Sequence, residues 1–102
     1  MSPQDTLDIF RMCQEGITNA IRHGCPTFIE VATGIECVDG LHPRVFVSIR
    51  DDGSGFAASE SQEGRGFQNM RIRARRLRGS LDIMSEIGRG TQVILWMPCM
   101  AE

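Results

Sequence analysis

The chain has 102 residues, of which 41% are hydrophobic and 24% charged, with a formal net charge of -2. That length makes one domain with a single core, from which folding removes roughly 65% of the unfolded surface from water, and the composition excludes a disordered tail. No apolar run approaches the roughly 18 residues that span a bilayer, no secretory signal opens the sequence, and the net charge argues against bulk attraction to nucleic acid.

From Asp5 to His23 the apolar residues Leu7, Phe10, Cys13, Ile17, Ala20 and Ile21 recur at three- and four-residue steps, the spacing of one helical face. Gly24 is expected to supply the left-handed residue past the last turn, and Pro26 forbids continuation. Thr27 to Cys37 and Arg44 to Arg50 are rich in Val, Ile, Phe and Thr, with Asp39, Gly40 and Pro43 marking a turn, so they read as neighbouring antiparallel strands. Asp51 to Gly66 carries Gly53, Gly55, Gly64 and Gly66 without apolar periodicity and reads as a loop of about sixteen residues, a length that in small domains usually serves function. Phe67, Met70, Ile72, Ala74 and Leu77 then predict a second helix, with Arg76 and Arg78 at its negative end and Gly79 just beyond. Leu81, Ile83 and the alternating Val93, Leu95 and Met97 predict two further strands, joined through Gly88, Arg89 and Gly90 as a hairpin. Cys13, Cys25, Cys37 and Cys99 lie far apart without a Cys-x-x-Cys, three of them in apolar runs, and are expected to be reduced and packed as small hydrophobes. A zinc site from Cys13, His23 and Cys25 matches no common ligand spacing.

Three elements carry chemistry. Glu15 and Asn19 lie one turn, about 6 Å, apart on one helical face, a pair that in isolation reads as a solvated edge. Asp51-Asp52-Gly53-Ser54-Gly55-Phe56 follows a strand directly, and its alternate glycines allow positive φ and the close approach of a flat ligand. A carboxylate at such a strand end can accept from the exocyclic amine of adenine, whereas guanine presents a carbonyl there, so ATP is preferred over GTP. Gly64-Arg65-Gly66-Phe67 opens a helix, where unpaired N–H groups and the positive dipole end form an anion site. Gly53, Gly55 and Ala58 also fit a GxGxxA dinucleotide fingerprint, but that motif needs a helix starting within it and an acid about twenty residues later, which are lacking here.

In this order, and followed by Gly90-Thr91-Gln92-Val93, the elements resemble the GHKL group of ATPases, which includes histidine kinases, gyrase, heat-shock chaperones and MutL-like proteins. Gln14 to His23 is similar to the N-box of that group, Asp51 to Phe56 to its first glycine box, and Gly64 to Met70 to its second. The run Met70 to Leu81, with Glu86 and Gly88-Arg89-Gly90-Thr91, resembles histidine kinases of the NarX, LiaS and DesK type. The resemblance implies an α/β fold, a two-layer sandwich with a mixed, mainly antiparallel sheet covered on one face by helices, and a single domain over 1–102 that is a piece of a longer protein. It implies ATP and Mg²⁺ as ligands. Asn19 would coordinate Mg²⁺ through its amide oxygen, and Glu15 would act as the catalytic residue near the γ-phosphate, orienting the metal shell or assisting proton transfer. Asp51 would bind the adenine amine, with Asp52 its neighbour. Gly53 and Gly55 would shape the base pocket, Gly64, Arg65, Gly66 and Phe67 the phosphate end, and Thr91 would add a hydroxyl at the adenine end.

In such kinases the phosphoacceptor histidine precedes an acidic residue on a separate dimerisation domain. His23 precedes Gly24 and His42 precedes Pro43, so neither matches. The implied partners are therefore the dimerisation domain of the parent protein and, through it, a response regulator. The expected location is cytoplasmic, with the parent possible as an inner-membrane protein. Two other functions fit parts of the sequence: an anti-sigma-type serine kinase of the same fold, and a nucleic-acid module using Arg71, Arg73, Arg75, Arg76 and Arg78. The second is disfavoured because the arginines wrap around more than one helical face and the chain has few aromatics and no Tyr.

Overall fold

The computed structural model describes residues 2–37, 40–55 and 65–99, with only the backbone of His23, Arg65 and Gly66. The element order is α1 (Pro3–Gly24), β1 (Ile29–Cys37), β2 (Pro43–Asp51), α2 (Arg65–Arg76), β3 (Ser80–Glu86) and β4 (Gly90–Pro98). The sheet order is β1-β2-β4-β3 and each neighbouring pair is antiparallel. β2 and β3 therefore run parallel with β4 inserted between them, and α2 lies in the connection that carries the chain across. Met12 of α1 and Met70, Ala74 and Leu77 of α2 pack on Val93, Leu95 and Met97 of β4, so both helices cover one face and the protein is a two-layer α/β sandwich.

α1 begins at Pro3, two residues before the expected Asp5. Ser2 is its N-cap: the Ser2 hydroxyl accepts from Asp5 N at 3.1 Å and Asp5 Oδ2 accepts from Ser2 N at 3.2 Å, a reciprocal capping box with proline pre-set in the first turn. The expected apolar stripe is only partly the buried face: Ala20 is buried and Cys13 and Ile17 are half-buried, but the rest is not. Leu7, Phe10 and Ile21 are 44%, 58% and 61% exposed, and the inward line is Asp8, Met12, Gly16 and Ala20. One of those four is a charge and another is a glycine, neither of which an apolar count registers. A Cβ at Gly16 would lie 2.5 Å from Ile49 Cδ1, so α1 sits on β2 as closely as a bare Cα permits.

Neither expected glycine takes the left-handed conformation, although Gly24 is the last residue of α1. The left-handed residues are Cys25 (φ 45°) after α1 and Arg78 (φ 60°) after α2. Gly79 is needed for proximity instead, since a Cβ there would stand 1.9 Å from the Trp96 carbonyl oxygen. The cysteines are free thiols, but Cys25, Cys37 and Cys99 are exposed and only Cys13 packs partly inside, where burial pushes its thiol pKa up. Expected turn residue Asp39 lies outside the described residues. No helix among the described residues is long and apolar enough to cross a membrane.

Candidate functional site

On the helix-covered face the cross-strand rows are apolar until the last. Val47 faces Leu95, which faces Leu81; Ile49 faces Val93, which faces Ile83; but Asp51 faces Thr91, which faces Ser85. Alternation fixes this, because residues two apart on a strand share a face. One end of the core floor is therefore polar, with the Ser85 and Thr91 hydroxyls 2.8 Å apart and Asp51 buried at 7% exposure.

The turn after β2 closes over that end. Asp51 Oδ1 accepts from Gly53 N at 2.8 Å, and no other partner of this carboxylate is found among the described residues. Ser54 N donates to the Gly24 carbonyl at 2.9 Å, satisfying a terminal carbonyl of α1, and the Ser54 carbonyl accepts from Gly88 N at 2.7 Å. These two bonds tie the turn to α1 on one side and to the β3–β4 hairpin on the other. Gly55 has φ 65°, and a Cβ there would stand 2.1 Å from the Glu86 carbonyl oxygen. Gly53 has no positive φ; its missing side chain makes room for the Gly24 carbonyl and the Asp51 carboxylate. Both glycines are thus required by close packing within the chain itself.

Asp52 points elsewhere. Its Oδ1 accepts from Thr27 N at 2.8 Å and Phe28 N at 3.0 Å, and its Oδ2 accepts from the Thr27 hydroxyl. The Thr27 hydroxyl first, and the backbone amides with it, hold the Asp52 carboxyl pKa below its usual value. Asp52 thereby anchors the start of β1 to the end of β2.

Glu15 and Asn19 are half-buried on the flank of α1 that faces α2, not on a solvated edge. Arg73 Nη1 donates to Glu15 Oε1 at 2.5 Å, and Arg76 Nη2 to Asp8 Oδ1 at 2.5 Å. A Cβ at Gly16 would also approach Met70 Cε at 3.3 Å. Rising positions on α1, Asp8 then Glu15 then Gly16, thus meet falling positions on α2, Arg76 then Arg73 then Met70, so the helices run in opposing directions. Continuing that progression by about 1.5 Å per residue sets the first turn of α2, with Gly66 and Phe67, toward Asn19 and the C-terminal end of α1. Asp51, Gly53, Gly55, Thr91, Asn19 and the N-terminus of α2 therefore gather at one end of the molecule. Gly64 lies outside the described residues, as do Phe56 and Ala58, and Arg65 and Gly66 are described only as backbone of α2.

Sequence reasoning did not single out Ser85, although its position two residues after Ile83 puts it on the inner face. It also gave no role to Asp8, and named Arg73 only in the disfavoured nucleic-acid reading, because helical spacing alone does not show that the two meet. A concavity of about 380 Å³, lined by Ile21, Cys25, Phe28 and Ile29 among others, lies between the C-terminal end of α1 and the start of β1, and Glu15 does not line it.

A family profile described as the histidine kinase-, DNA gyrase B- and HSP90-like ATPase matches residues 4–101. The chain belongs to this ATPase family. It is 30% identical over 102 residues to the signal transduction histidine-protein kinase/phosphatase DegS of Bacillus subtilis, a match covering 96% of this chain and 25% of that protein. It is 31% identical over 98 residues to the histidine-protein kinase/phosphatase UhpB of Salmonella typhimurium, covering 96% and 18% respectively. The chain thus spans a quarter or less of the length of these relatives. The ATP binding domain of PrrB from Mycobacterium tuberculosis shares the fold, with TM-score 0.76 at 20% identity, covering 93% of this chain and 69% of that one. Within the ATPase family, then, the chain is similar to the catalytic part of sensor histidine kinases.

Proposed function

We propose that this member of the ATPase family binds Mg-ATP at the polar end of its helix-covered face and donates the γ-phosphate to a histidine on a separate dimerisation domain. It is, on this reading, the catalytic part, over residues 1–102, of a two-component sensor histidine kinase that passes the phosphoryl group to a response regulator. What supports the reading is the pairing of Asp51 with Thr91 at the polar end of the sheet, together with the opposed course of the two helices, which directs the start of α2 toward Asn19. A purine acceptor, a hydroxyl, an amide and an anion-binding helix start are the groups a nucleotide needs, in the order base to phosphate.

With one Asp51 oxygen fixed by Gly53 N, the other is the acceptor for the adenine amine. Thr91 borders the base, and Gly66 and the first amides of α2 receive phosphate oxygens, with Arg65 and Phe67 at the same end and Gly64 assigned there by the motif alone. The donor set also fits Mg²⁺. Among the described residues no three His, Cys, Asp or Glu side chains cluster as a metal cage, whereas Glu15 Oε2 is a buried acceptor without a partner and Asn19 lies one turn away. A few protein oxygens beside phosphate oxygens and water are what this cation takes. Bound there, Mg²⁺ supplies neutralisation of phosphate charge. Asn19 would hold the cation through its amide oxygen, and Glu15 would orient the water around the cation or assist proton transfer. Catalysis is mainly positioning and charge compensation. The kinase works on the cytoplasmic side, whether or not the parent protein is anchored in a membrane.

Calorimetric titration tests this. Mg-ATP should bind and GTP should bind far more weakly. Asp51→Asn should weaken ATP by about 1–3 kcal/mol, because the amide oxygen is needed by Gly53 N–H and the remaining NH₂ then meets adenine donor to donor. Equal affinity for ATP and GTP, or an unchanged Asp51→Asn variant, rejects the assignment.

A further inference from the structure

Arg73 touches the one acid to which the proposed chemistry gives a part. Its Nη1 donates to Glu15 Oε1 at 2.5 Å, with side-chain exposures of only 18% and 23%. Its Nε lies 4.0 Å from Asp8 Oδ1. Asp8 is 1% exposed and is itself fixed by Arg76 Nη2 at 2.5 Å and Gln4 Nε2 at 3.3 Å. The Arg73 guanidinium therefore stands between two carboxylates of α1 about two turns, or roughly 10 Å, apart along the helix. One donated bond, to Glu15, fixes the fork, while Asp8 adds charge attraction across 4.0 Å and Nε finds no hydrogen-bond partner among the described residues.

What Arg73 grips is fixed in its turn. Oε1 of Glu15 is occupied, while Oε2 is buried and has no partner among the described residues. A buried acceptor without a donor is unfavourable until a donor arrives; Asp8 Oδ2 shares that state, but only Glu15 lies one turn from Asn19 and so beside the proposed phosphate end. The pairing of the two helices would be served by Asp8 and Arg76 alone, so the second bond has a different consequence: it selects which carboxylate oxygen of Glu15 stays open.

We infer that Arg73 is a positioning residue for Glu15, holding Oε1 so that Oε2 alone is presented to the phosphate end of the nucleotide. The inference rests on the role of Glu15 given above and deepens it. Positioning of this kind acts on the reacting arrangement more than on ground-state affinity, so it separates kcat from KM.

The test is phosphate release from Mg-ATP by the chain, in a double-mutant cycle. Arg73→Ala should lower kcat by about tenfold or more with KM moved less than about threefold, and Arg73→Lys, which keeps a cation between the two carboxylates and so the fold, should lose about threefold. In a Glu15→Gln background either Arg73 substitution should cost less than about twofold, because the group it positions is already disabled. Arg76→Ala breaks the neighbouring ion pair without touching Glu15 and should stay within about twofold of the wild-type kcat. An Arg73 penalty undiminished beside Glu15→Gln, an Arg73→Ala rate equal to wild type, or an equal loss in Arg76→Ala overturns the positioning role alone. Wild-type turnover in Glu15→Gln, or no phosphate release by the wild-type chain, overturns the reading beneath it.

Discussion

Two sides of α1 show opposite relations between polarity and burial. The inward side and the flank toward α2 carry Asp8, Glu15 and Asn19, buried or half-buried, with the two acids in ion pairs to α2. The outward side carries Leu7, Phe10 and Ile21, all largely exposed. Hydrophobic transfer alone would turn the helix the other way. It does not, because the inward side offers Met12 and Ala20 for packing, Gly16 for close approach, and two acids that find arginines. Specific pairing thus decides the rotation of a helix whose apolar residues are spread over both sides.

The comparison can be broken most readily at Asp8. Asp8→Ala leaves Arg76 without its partner inside the helix–helix contact. Breaking a fully buried pair costs about 3–5 kcal/mol, and since Arg76 is half-exposed and can rehydrate, roughly 2 kcal/mol is expected, or ~10 °C in melting temperature. A loss no larger than that of an exposed-site change would show that the pair does not orient α1. A smaller effect is expected at Asp52, the exposed acid whose tie holds β1 instead. Its folded carboxyl pKa is lowered, so its contribution is complete above the usual carboxylate range and disappears as the pH falls below that range through the lowered value. Asp52→Asn should therefore melt lower than wild type near neutrality and at the same temperature in strong acid; a difference that does not shrink on acidification would contradict the tie. The smallest effect belongs to the outward side. Phe10→Ser should change stability by less than about 0.5 kcal/mol in chemical denaturation, and a much larger loss would mean that the apolar side is covered in solution.

Local signals in the sequence foretold the elements well. Alternation at Val45, Val47 and Ile49 and at Val93, Leu95 and Met97 identifies two strands, and it also places Asp51 and Thr91 on the inner face because they continue the same parity. The motifs that mark the nucleotide end lie on elements the fold brings together. Strand order was not legible, since nothing local says that β4 inserts between β2 and β3. The buried side of α1 was hidden for a physical reason: apolar periodicity reports transfer free energy, and Asp8 and Gly16 are inside for ion pairing and close approach. The helix ends misled similarly. Gly24 and Gly79 look like left-handed caps, but Cys25 and Arg78 take that conformation, and Gly79 is spent on contact with the Trp96 carbonyl. The Arg73–Glu15 bond spans 58 residues and leaves no short-range trace.

The inserted strand has a consequence for biogenesis. β2 and β3 are both complete before β4 leaves the ribosome, yet they share no hydrogen bonds and are joined only through it. During vectorial synthesis the β1–β2 hairpin must wait with one long edge open, and Asp51 has no threonine opposite it until the fourth strand emerges. The polar end of the sheet is therefore completed only once β4 has emerged and paired with the strands on both sides.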